Sequence, residues 1–116
     1  MAVTAQKLEK WAQKKKINKI ISKALSSDNM EIRIAAIGAL GKSGDENAMH
    51  QLIGLLKDPN ATIRTAAVEA LGTMGNGRSL EFVKQLLNSE SDETVREKAK
   101  WAVNEIRVKV ASEEKN

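Results

Sequence analysis

Apolar residues recur three and four positions apart along most of this chain, and one such pattern occurs twice. In "IRIAAIGALG", Ile32, Ala35, Ala36, Ala39 and Leu40 share one face of a helix; in "IRTAAVEALG", 31 residues on, Ile63, Ala66, Ala67, Ala70 and Leu71 do the same. The match runs past the phrase. Gly41, Gly44, Leu55 and Leu56 recur as Gly72, Gly75, Leu86 and Leu87. A weaker third copy starts at Val95-Arg96 and continues in register through Ala99, Ala102 and Val103.

The pattern predicts two helices per unit. The first spans about 30–42 and ends at glycines, which tolerate the left-handed conformation of a helix terminus. The turn "SGDEN" leads to a second helix over about 47–57. "DPN" stops it, because proline cannot continue a helix and Asn60 can cap the next one. The following unit copies this plan with "MGNG" as its inner turn. Before the repeats, a helix over about 16–25 aligns Ile21, Ala24 and Leu25 with Leu52, Leu55 and Leu56. Leu8, Trp11 and Ala12 form an earlier apolar face pointing nearly the opposite way, so a break is expected near "QKKK". A single domain over 1–116 follows: a basic half repeat (1–28), two repeats (29–59 and 60–91), and a half repeat with a tail (92–116).

Helical pairs of this length cannot bury both apolar faces alone and stack into a solenoid. Here the residues resemble a known family. "LLKDPNATIRTAAVEALGTMG" is similar to a HEAT repeat, of the short type found in phycobilisome lyases, and the resemblance covers about residues 17–107. It implies an all-α fold, a short right-handed α-solenoid. It also implies a ladder of aspartate and arginine between units, with Asp58 and Arg64 in those positions. Arg33 and Arg96 match the arginine, with Asp28 near Arg33 and Glu90 before Arg96.

Composition narrows the chemistry. Cysteine is absent, which removes disulfides, thiolate catalysis and sulfur-ligated metals. The glycines lack the lysine–serine pair of a phosphate-binding loop. His50 is the only histidine, without the paired His-Glu motifs of HEAT-like metalloenzymes. No serine or threonine has an evident activating base. The expectation is a non-enzymatic chain with no metal and no cofactor. It has no membrane-length apolar run and no leader of secretory type, and cytoplasmic residence is expected.

The charge is lopsided. Residues 1–26 hold seven lysines against Glu9, a net of +6, while the rest is −2 within an overall +4. Lysine clusters attract acidic proteins and phosphates. The expected function is a protein–protein interaction module, an adaptor or scaffold. Its concave face is expected to be built by the second helices and to present Lys16, Lys19, Lys23, Asn47, His50, Gly54, Lys57, Arg78, Glu81 and Gln85. The partner is expected to be acidic near the first three. Anion or nucleic-acid binding through the basic end is the alternative, and a lyase-like accessory role follows only from the resemblance. Phe82 is expected to pack between helices. Trp101 aligns with Gly38 and Glu69, positions away from the alanine face. It is read as outward-facing, either capped by a tail carrying Val108 and Val110 or free as a contact, which leaves a monomer or a weak homodimer.

Overall fold

The computed structural model of the chain describes residues 2–115; Met1 and Asn116, the limits of the expected domain, lie outside them. The described chain is helical throughout: α1 (Ala5–Gln13), α2 (Ile17–Lys19, continuing in π-helical turns through Ile20–Ala24), α3 (Met30–Ser43), α4 (Glu46–Leu55), α5 (Ala61–Met74), α6 (Leu80–Ser89, entered by a 3₁₀ turn at Gly77–Ser79) and α7 (Glu93–Glu114).

Side-chain caps mark the starts. Oδ1 of Asn29 accepts the N–H of Glu31 and Ile32, that of Asn60 accepts from Thr62, and Asp45 and Asp92 accept from Ala48 and Val95. Gly44 and Gly75 end α3 and α5 in the left-handed region, each at φ +68°. The break in "QKKK" is present between α1 and α2, and its pivot is Lys15 at φ +56°. The π-helical turns shift the phase of α2, so Ile20 rather than Ile21 is fully buried beside Ala24 and Leu25.

α3, α5 and α7 pack directly side by side. Small residues set that spacing: Ala36, Ala67 and Ala99 are wholly buried, and a Cβ on Gly41 would stand 2.9 Å from the Cα of Ala70. By contrast α4 and α6 scarcely touch; α4 lies against α3 and α5, and α6 against α7. The alanines and glycines of the first helices bring that layer close together, and the second helices α2, α4 and α6 form the other layer.

The expected arginine ladder is present with its pairing shifted one unit forward. Arg33 faces Asp58 at 3.7 Å, and Arg64 binds Glu90 through two parallel hydrogen bonds of 2.8 and 2.9 Å. Arg64 also donates to the carbonyls of Asp58 and Pro59, and Arg96 to those of Leu87 and Glu90. Each arginine thus closes the turn before its own helix, Arg33 by donating to the carbonyl of Leu25, and Arg33 and Arg64 also reach the acid of the next turn. Asp58 is contacted by Arg64 only through its carbonyl.

The C-terminal tail does not fold back. α7 continues to Glu114, Lys109 donates to the carbonyl of Met74 at 2.8 Å, and Val110 covers Gly77. Trp101 packs against Gly72, where a Cβ would stand 2.5 Å from its Cζ3, and Lys98 stands 5.4 Å from the ring centroid while pairing with Glu69.

Candidate partner-binding surface

All ten residues selected from the repeat pattern are exposed. Their positions opposite the core faces of α2, α4 and α6 account for this, since Ala48, Met49, Leu52, Val83 and Leu86 occupy the inward positions. They do not form one even sheet. The gap between α4 and α6 opens into a groove of about 290 Å³, lined by Ile53, Leu56, Phe82 and Leu86 with Gly54, Lys57, Gln85 and Ser89 on its rim. Gly54, Lys57 and Gln85 therefore meet at one groove. Phe82 is not sealed between helices; it is 45% exposed in the groove wall.

A second groove of about 330 Å³ brings Lys16, Lys19 and Asn47 together with Lys15, Ile17, Asn18 and Asp45. Lys23, His50 and Glu81 stand outside both grooves. Arg78 is engaged by Glu46 in an ion pair across the unit boundary. A larger groove, about 830 Å³, lies between α1 and α3 and was not singled out from the sequence. Lys15 lines it as well, with Lys42 and Glu9 and an otherwise small apolar surface including Leu8, Ala12, Ala35 and Gly38. The irregular spacing of α1 before the repeats hid that groove from pattern matching.

The charge asymmetry survives folding. Lys7, Lys10, Lys14, Lys15, Lys16, Lys19 and Lys23 are all exposed, and among the described residues none forms an ion pair. The acids they lack are spent elsewhere: Asp45 caps α4, and Asp58 and Glu90 serve the ladder. Burial of Glu90 against Arg64 perturbs both groups. The bidentate hydrogen bond from the guanidinium holds the Glu90 carboxyl below the usual carboxylate range and raises Arg64 further. This site is structural, since it joins two turns inside the stack.

Among the described residues no group of three or more His, Cys, Asp or Glu gathers to hold a metal ion, and no helix is long and apolar enough to cross a membrane. The surface thus offers a long polar face with two grooves, a larger groove between α1 and α3, and an uncompensated cationic end.

A family model described as HEAT repeats matches residues 4–104. No curated protein matches the chain. A solved structure, the crystal structure of epoxyqueuosine reductase with a tRNA-Tyr epoxyqueuosine-modified tRNA stem loop, superposes with a TM-score of 0.62 at 30% identity. The match covers 66% of this chain and 20% of that one, so the chain corresponds to about a fifth of that enzyme's length.

Proposed function

The chain belongs to the HEAT-repeat family, and from that premise we propose that it is a non-enzymatic interaction module that docks an acidic protein partner on its α2–α4–α6 face. The observation carrying this reading is the row of exposed lysines without acidic partners at one end of a face whose outward residues, Arg78 apart, form no ion pair between units. Lys16, Lys19 and Lys23 steer and orient the partner. The groove between α4 and α6, with Phe82 in its wall, supplies the apolar anchor that charge alone does not. A test is affinity capture with the wild type and with a variant carrying Lys16→Glu, Lys19→Glu and Lys23→Glu. Capture of a specific protein by the wild type, lost in a triple variant that keeps its helicity and melting temperature, supports the reading. Equal capture by both removes it.

A second reading has its own support. The structural neighbour is an enzyme solved with a tRNA stem loop, and lysine rows are also how a protein neutralises phosphates. On this reading the basic end binds nucleic acid. Salt-dependent binding of an RNA hairpin, absent in the same triple variant, distinguishes it from the first.

A further inference from the structure

The helices α1, α3 and α5 end alike but with different residues. After α3 and α5 the chain turns through Gly44 and Gly75, each at φ +68°. After α1 it turns through Lys15 at φ +56°, among the described residues the sole non-glycine with positive φ. The hydrogen bonds of that turn are those of a glycine-type helix end: Lys16 N–H donates to the Trp11 carbonyl at 2.8 Å and Lys15 N–H to that of Ala12 at 3.1 Å. An L side chain is disfavoured there because its Cβ crowds the following carbonyl. The fold itself needs only a residue that accepts this conformation, and it uses glycine at two of the three equivalent ends.

The lysine side chain is the one thing glycine cannot provide, and its surroundings give it a task. Lys7, Lys10 and Lys14 follow one another at helical spacing along α1 and its end, and Lys16, Lys19 and Lys23 do so along α2. The two rows meet at the turn, and Lys15 is the vertex. It lines both the α1–α3 groove and the smaller groove with Lys16, Lys19 and Asn47. All seven are exposed, and among the described residues none is paired with an acid. The cluster contains no arginine, the residue suited to planar two-point recognition of carboxylates. Ammonium groups strung along two helices instead suit a polymer that offers one oxyanion after another.

We propose that Lys15 is held in this strained conformation to contact the phosphodiester backbone of a nucleic acid that runs along the two lysine rows. This rests on the second reading above. The contact is electrostatic and positions the polymer without reading its sequence. Glu9 on the α1–α3 groove wall repels the same polymer and favours a path over the turn toward α2.

The test uses the full chain with Lys15→Gly, and with Lys115→Gly as the control for loss of one positive charge. Binding of fluorescein-labelled RNA and DNA hairpins of one sequence is measured by anisotropy across a salt series. Melting is followed by circular dichroism. Lys15→Gly is expected to raise Tm by about 4 °C, because glycine relieves the strain. It is also expected to weaken binding about eightfold at roughly 0.1 M salt and to lower the slope of log K against log salt by about one, the share of one neutralised phosphate. Lys115→Gly changes neither. If the wild type binds neither hairpin, or binds poly-L-glutamate as tightly as both, the nucleic-acid reading itself falls. If it binds a hairpin and Lys15→Gly binds equally well with an unchanged slope, that reading stands and the role of Lys15 is refuted. A tighter RNA complex than DNA complex assigns the backbone to RNA; the reverse assigns it to DNA.

Discussion

Replacing Arg64 with alanine is expected to damage this fold far more than the loss of an ordinary surface cation. The guanidinium side chain is 17% exposed and the Glu90 carboxylate 6%. Arg64 makes four hydrogen bonds: two to Glu90, and one each to the carbonyls of Asp58 and Pro59. Its removal leaves Glu90 with only the N–H of Asp92 and strips both carbonyls of this donor. An exposed ion pair is worth roughly 0–1 kcal/mol, whereas breaking a buried pair costs about 3–5. The partial exposure of Arg64 places Arg64→Ala between them, at about 2–3 kcal/mol. For a domain of this size that is a fall in Tm of roughly 8–12 °C. Glu90→Gln keeps the shape and some of the hydrogen bonds and should cost about 1–2 kcal/mol. The pH dependence has a fixed sign. Glu90 has a lowered folded pKa, so its contribution is present above the ordinary carboxylate range and disappears as pH falls through the folded value. The gap in stability between wild type and Glu90→Gln should therefore close in acid and remain constant from pH 6 to 8, a window this carboxyl does not titrate in. Urea denaturation of wild type, Arg64→Ala, Glu90→Gln and the double variant gives the coupling. A coupling below about 0.5 kcal/mol, or a gap that widens in acid, refutes the account.

Ala67→Leu should overpack the contacts of α5 and cost about 1–3 kcal/mol, read as a lower urea midpoint, because Ala67 is wholly buried. Two helical glycines should respond in opposite directions. Gly41→Ala drives a methyl to 2.9 Å from the Ala70 backbone and lowers Tm, while Gly38→Ala meets nothing within 4 Å and should stabilise by about 0.8–1 kcal/mol. Equal shifts for the two would mean that α3 and α5 do not stack through Gly41.

Helix positions and most core residues were legible in the sequence because a repeat states each of them more than once, but Ala35, placed on the apolar face, is exposed, and Ile37 and Val68, left off it, are buried. Alanines 36, 67 and 99 agree with one another, and all three are buried. The capping asparagines and left-handed glycines carry local signals that tertiary structure did not override. What proximity in sequence misread was pairing. Asp58 lies six residues before Arg64, yet the side chain facing it is Arg33, because the ladder crosses between turns adjacent in space rather than along the chain. The outward residues of the candidate surface followed from helical spacing alone, but their division between two grooves did not. The α1–α3 groove escaped notice because α1 lies off the repeat's register.

The close contact of α3, α5 and α7 makes that layer behave as a spine. Backbone atoms there are already in van der Waals contact through Gly41 and Gly72, and a close-packed interface resists compression. The gap between α4 and α6 has no such stop. The two layers are therefore packed unequally, like a bound book whose pages part while the binding holds. The groove beside Phe82 lies on the loose side and the wholly buried alanines on the tight one. A partner docked as proposed would press on the layer with room to yield, and the spine would be left as it is.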